Sequence, residues 1–300
     1  MPWIGIAGDV LCACPGTLCR AVAAGGFGRG WRFAIELDQH AVVDIGTECV
    51  LDGLVTAVVG LASSEYTARA AELKVLASVA LTSALSELTP VYEKATGDKL
   101  SIGYGLAADL KKRSLDGETA DVIILTRPMM DDLQKQDKLA ANSLVNIAGT
   151  PVSVVAREGA PKPDISSVDA FKRTLLTARS VVYADPAKGG ASGVYFARVL
   201  DRLGIAEDLK DKAILVPGAQ AAEVVSKGDA ELGVAQASEI VPVTGVELVG
   251  PLPGELASTT VFAAGIGAAS KSPEADKALV KFLTGPEAAS HFKTKGFVPG

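Results

Sequence analysis

From Leu73 onward the apolar positions fall into two alternating patterns, short unbroken runs and runs spaced by three and four residues. The stretch "LKVLASVA" predicts a buried strand; behind it Leu81, Leu85, Leu88, Tyr92 and Ala95 recur as one face of a helix does. Thr82 is the expected cap of that helix, Gly97 its expected end, and Pro90 a predicted kink or split. "KLSIGYG" predicts the next strand and "AADLKKRSLDG" the next helix, and "ADVIILT" is continuously apolar, as suits a sheet covered on both faces. Strand and helix alternate, which predicts an α/β layer with a mainly parallel sheet.

"TPVSVVAREGAPKP", residues 150–163, runs from a strand into a proline-rich turn and marks an expected boundary. A second series follows: a helix around "SVDAFKRTLL", a strand "SVVYA", a helix from Ser192, a strand "AILVPG", a helix "QAAEVVSKG" and a strand "ELGVAQ". The strand "TTVFAAGIGA" and two helical stretches, "SPEADKALVKFLTG" and "PEAASHFKTKG", complete the chain. Two α/β lobes are therefore expected. Ligands of open α/β sheets sit beyond the carboxyl ends of the strands, and a junction between lobes is a favoured place for one.

Composition narrows the partners. The 300 residues carry a net charge of −6 with an isoelectric point near 5.1, and 21% are charged at a mean hydropathy of +0.29. A disordered chain is excluded, and an acidic surface with no Lys/Arg cluster argues against nucleic acid or an anionic membrane. Cys12, Cys14, Cys19 and Cys49 all lie near the N-terminus, and a metal site would need further ligands at set spacings where only His40 is near. No metal and no cofactor is expected.

The N-terminal stretch reads differently from the rest. "LVTAVVGLA", residues 54–62, has the length of a signal-peptide core, too short to span a bilayer, and is followed by Ala68-Arg69-Ala70, an A-x-A site with cleavage expected before Ala71. Glu48 and Asp52 flank the run where cations are usual, and residues 1–49 show little periodicity. Residues 1–71 are expected to be a leader outside the mature fold.

The candidate chemistry is concentrated in "ADPAKGGASGVYF", where a strand ends near Pro186, the chain turns through Gly189 and Gly190, and a helix begins. Free N–H groups at a helix start carry partial positive charge, and glycine lets a ligand approach them, so this turn is an anion cradle built from backbone. "LASVALTSAL" and "IGYGLAADL" are two more strand-to-helix turns lined by small residues, and three such turns can converge on one small ligand.

From about Glu72 to Gly300 the chain resembles the periplasmic solute-binding proteins of ABC importers, and most the molybdate-binding branch. The resemblance is carried by "LKVLASVALTSALSELTPVYEKATG", "GETADVIILT", "DPAKGGASGVYFARVLDRLGI", "AELGVAQASEI" and "ALVKFLTGPEAASHFKTKGF". It implies two α/β lobes joined by crossing strands, residues 72–156 with 257–300 and residues 157–256, closing on a ligand in the cleft between them. It also implies an exported, periplasmic, monomeric protein that hands a small anion to a permease in the inner membrane. The implied ligand positions are Ser78, Val79 and Ala80 in the first turn, and Gly105, Leu106 and Ala107 in the second. In the other lobe they are Gly190, Ala191, Ser192, Gly218, Ala219 and Gln236, the last at the family's tyrosine position. The hydroxyls usual at the first two turns are replaced here by Ala80 and the span from Gly105 to Ala108. A molybdate-like oxyanion is the first reading of the ligand and a small organic carboxylate the alternative. For a carboxylate, Arg127 at the end of "DVIILT" offers a bidentate fork, with Lys188 and Tyr104 as further donors.

Catalysis is not expected. His40 and His291 have no nucleophile in a plausible dyad, no phosphate loop occurs, and Asp131-Asp132 sits among lysines on an expected solvated helix. A regulator's effector lobes would need a helix-turn-helix before residue 72, which "GGFGRGWRFAIELDQHAVVDIG" does not supply.

Overall fold

The computed structural model describes residues 70–300 and four N-terminal strands, β1 (Asp9–Cys14), β2 (Thr17–Ala24), β3 (Arg32–Leu37) and β4 (Ala41–Val42). The four pair antiparallel in chain order, within a unit of residues 1–67 that is separate from the unit of residues 68–300. Pattern reading misses this meander, although a Pro15-Gly16 spacer between two apolar runs is a turn signal. The apolar run at residues 54–62 and the start of the A-x-A site lie outside the described residues.

The larger unit opens with β5 (Glu72–Ser78), α1 (Thr82–Thr96), β6 (Lys99–Gly105), α2 (Ala107–Leu115), β7 (Val122–Thr126) and α3 (Arg127–Lys135). A long strand, β8 (Val145–Arg157), leads into α4 (Val168–Thr177), β9 (Val181–Ala184), α5 (Ala191–Leu203), α6 (Ala206–Leu209) and β10 (Ala213–Val216). Then come α7 (Ala221–Lys227), β11 (Leu232–Gln236), α8 (Ala237–Ile240), β12 (Val246–Pro251), β13 (Thr259–Ile266), α9 (Pro273–Leu283) and α10 (Pro286–Thr294).

The strands form one sheet in the order β10-β9-β11-β8-β13-β7-β5-β6, with β12 also on β8. Pairing is parallel within each half, β6-β5-β7 on one side and β10-β9-β11 on the other. It turns antiparallel where β8 and β13 cross between them. The first half of β8 pairs with β13 and the second with β11 and β12, so one strand belongs to both lobes.

Continuous apolar strands supply two cores at once, because successive side chains point to opposite faces. Leu73, Val75, Val122 and Ile124 pack with α1, α9 and α10 on one face, while Leu76, Ile123 and Leu125 pack with α2 and α3 on the other. The second lobe repeats the scheme, with Val152, Val154, Val181 and Tyr183 against α4 and α5, and Val155 and Val182 against α7. The C-terminal helices return to the first lobe, and Gly149 and Val298 exchange backbone hydrogen bonds of 2.8 and 2.7 Å.

Helix α1 corrects three details of the sequence reading. It runs unbroken through Pro90 rather than splitting, and Ala95 is exposed rather than on the buried face. Thr82 does not cap it: its hydroxyl donates to the Val79 carbonyl at 2.8 Å within a preceding 3₁₀ turn, Val79–Leu81. Gly97 ends the helix as expected, with a left-handed φ of 83°. Helices α6 and α8 and strand β12 are absent from the pattern reading, since none is long enough to establish a period and β12 contains Gly250 and Pro251.

Candidate functional site

A cavity lies where the carboxyl ends of β5, β6, β9, β10 and β11 face one another between the lobes. The first lobe contributes Ser78, Val79, Ala80, Leu106 and Ala107; the second contributes Ala184, Gly190, Ala191, Ser192, Gly218, Gln236 and Glu239. Three helical starts open onto it, the 3₁₀ turn at Val79, α2 and α5, whose N-cap residues are Ser78, Leu106 and Gly190. None has a side chain capping it, so their first N–H groups keep their bonding capacity for whatever enters.

Close packing brings these turns together. Any side chain at Gly193 would run into the Ala184 carbonyl, so glycine lets the first turn of α5 rest on the end of β9. Across the cleft, a Cβ at Gly189 would stand 2.6 Å from the Ala108 Cβ, and one at Gly218 would stand 3.3 Å from Leu106 Cδ2. The lobes touch at the rim of the cavity, and the free space inside is about 20 Å³, room for about one water molecule. A larger guest has to part the lobes to enter.

The wall built by β11 and α8 is polar and anchored to the crossing strands. Gln236 is buried and donates through Nε2 to Thr260 Oγ1 on β13 at 3.5 Å, and its side chain forms a capping box with Glu239 at the start of α8. The Ser238 N–H donates to Thr150 Oγ1 on β8 at 3.1 Å. One helical turn beyond Gln236, Glu239 accepts from the Gln236 N–H through Oε2 at 3.3 Å. Burial pushes the Glu239 carboxyl up to about 7, against the lowering effect of that backbone N–H. Among the described residues, Glu239 is the single titratable side chain on the cavity wall, and no Lys, Arg or His lines it.

Ten of the thirteen positions named from sequence meet here: Ser78, Val79, Ala80, Leu106, Ala107, Gly190, Ala191, Ser192, Gly218 and Gln236. Gly105 and Ala219 stand next to lining residues without lining the cavity themselves. Arg127 is a correction: its Nε donates to Asp131 and its Nη1 to Asn146, both at 2.8 Å, so its fork is engaged away from the cavity. Lys188 is exposed, and Tyr104 packs against the first-lobe core, where burial raises its hydroxyl. Ala184 and Glu239 escape the sequence reading. The position of Glu239, three residues past the end of a central strand, was the available signal.

The profile of the bacterial extracellular solute-binding protein family matches residues 73–298. The chain belongs to that family. It is 35% identical over 233 residues to an aconitate isomerase from Pseudomonas sp., spanning 76% of this chain and 87% of that protein. It is 25% identical over 231 residues to the molybdate-binding protein ModA of Escherichia coli strain K12, spanning 75% and 88%. The periplasmic molybdate-binding protein of Azotobacter vinelandii superposes with a TM-score of 0.64 at 19% identity, covering 76% of this chain and 99% of that one. The fold is thus the two-lobed α/β architecture of periplasmic binding proteins. No described helix is long and apolar enough to cross a membrane.

Proposed function

We propose that the protein is exported to the periplasm, captures a small organic polycarboxylate between its lobes and presents it to an ABC permease in the inner membrane. The working unit on this reading is residues 72–156 with 257–300 as one lobe and residues 157–256 as the other, preceded by a leader. The observation that carries the reading is the cavity wall itself: uncapped helical starts on both lobes face a site that also holds Glu239. Separate carboxylates of one ligand can each take a different set of N–H groups, so that binding bridges the lobes and favours closure.

Glu239 weighs against a compact oxyanion such as molybdate. A compact dianion brings its whole charge against Glu239, whereas a polycarboxylate can set one carboxyl group there and its other carboxylates on the helical starts. The carboxyl group placed there can accept the Glu239 proton in a charge-assisted hydrogen bond. The relative at 35% identity, named for its action on an unsaturated tricarboxylate, supports the same choice.

A thermal-melting series with trans-aconitate, cis-aconitate, citrate, succinate, molybdate and sulfate tests it, since a ligand selective for the native state raises the melting temperature. One or more of the polycarboxylates is expected to do so and molybdate and sulfate are not. A shift with molybdate alone would reverse the assignment.

A second reading, favoured by the same relative and by a titratable group in the cavity, is that the bound acid is converted as well as held. Moving the double bond of an unsaturated acid requires a base that lifts a proton from one carbon and returns it to another.

A further inference from the structure

We propose that Glu239 is the residue that carries this proton, so that the cleft catalyses an allylic shift in an unsaturated polycarboxylate; the inference rests on the isomerase reading above. Three features of the site support it. Glu239 is the titratable side chain on the cavity wall, and its position is fixed by the Gln236 N–H and by the Ser238–Thr150 bond in the same turn. The neighbouring Gln236, 2% exposed and lining the same cavity, is tied through Nε2 to Thr260 on β13 and holds the turn that carries Glu239 in place. The uncapped helical starts open onto the same cavity, where N–H donors can stabilise the charge that accumulates on a substrate's carboxylate oxygens when the proton leaves.

The step is balanced without a co-reactant. Glu239 Oε gains the proton as the carbon–hydrogen bond breaks, and the electron pair of that bond delocalises through the conjugated carboxylate. The Glu239 oxygen–hydrogen bond then breaks as a new carbon–hydrogen bond forms at the other end of the allylic system, and the double bond has moved. Substrate and product have the same composition and nothing is oxidised.

A base with proton affinity near neutrality is suited to this task, and burial gives Glu239 that affinity. Neighbouring charges do not account for it. Helix α8 is packed by β8, β11, β12 and the Val79–Leu81 turn. Of their charged side chains, Arg157 lies over Gly228 and Glu247 pairs with Lys162; Lys295, next to the Gly296 that touches Ala237, pairs with Glu87.

The test is proton NMR of trans-aconitate with the full chain in deuterium oxide. The wild-type protein is expected to form cis-aconitate, with the migrating hydrogen retained to the extent that Glu239 does not exchange it with solvent, and Glu239→Gln to lower the rate by about 100-fold or more while melting at a similar temperature. Should Glu239→Gln fail to fold, the wild-type pH–rate profile decides, with activity expected to fall below about pH 7 as the base is protonated. Conversion that survives Glu239→Gln within threefold, or a profile without that acid limb, overturns the assignment and leaves the isomerase reading standing. A wild-type protein that is stabilised by trans-aconitate but never converts it overturns both, and leaves capture alone.

Discussion

Two carboxyls, Glu239 half-buried on the cavity wall and Asp276 buried in α9, behave differently from the surface acids of this protein, and each for a reason local to its side chain. At Glu239 the low-dielectric wall of the cavity raises proton affinity, and the only countering group is one backbone N–H. At Asp276, fully buried in α9, the Ser270 hydroxyl lies 2.5 Å from Oδ2 and also 3.1 Å from Asp121 Oδ1. A hydroxyl has one proton, so it serves one carboxylate at a time, and burial with Asp121 nearby raises the Asp276 carboxyl. A carboxyl raised in the folded state adds stability that is fully present below its unfolded value of 3.8 and is lost as pH rises through its folded one. Asp276→Asn removes that dependence. The variant's melting temperature, measured against wild type, is expected to gain as pH rises above the unfolded value of 3.8; a constant difference would show that Asp276 is ionised in the folded protein.

At the level of elements, the site is a consequence of where strands end and helices begin. The runs "ADVIILT" and "SVVYA" were legible because strands buried on both faces cannot alternate with polar residues, and "LKVLASVA" because only Lys74 interrupts its buried positions before Ser78. The small-residue turns were legible because only glycine and alanine allow the approach seen between Gly189 and Ala108. Glu239 was not, since "ASEI" is four residues of ordinary composition whose importance lies in Thr150 and Thr260, about 90 and 20 positions away in the chain, which tether its turn through long-range bonds. Arg127 was misjudged for a related reason: strand-end geometry brings it towards the cleft, but Asp131 one turn on and Asn146 take its donors. The lobe contact gives a test at this scale. Ala108→Leu places extra atoms against Gly189 only when the lobes are closed, a cost of about 1–3 kcal/mol, or roughly five- to a hundredfold in affinity. Calorimetric titration should show that loss of affinity for the polycarboxylate with little change in the ligand-free melting temperature. Unchanged affinity would mean that the rim contact is not part of the bound state.

For the whole molecule, one sheet shared through β8 and β13 joins two lobes that each have their own pair of cores. Such a design lets the lobes separate without exposing either core, because the movement is confined to the crossing strands and the face between the lobes. The ligand need only prefer the closed form, and the shift it produces can be no larger than that preference. The free space of about 20 Å³ shows the cleft nearly shut, and the absence of cationic side chains on the described wall leaves the grip to backbone amides and hydroxyls. The most direct test is diffraction from crystals grown with trans-aconitate. Its carboxylates are expected between the lobes, with oxygens about 2.7–3.2 Å from the first N–H groups of α2 and α5 and one end against Glu239. Ligand bound elsewhere, such as in the groove beside Phe292 and Pro299, with the space between Ala107 and Ser192 unfilled, would contradict the account.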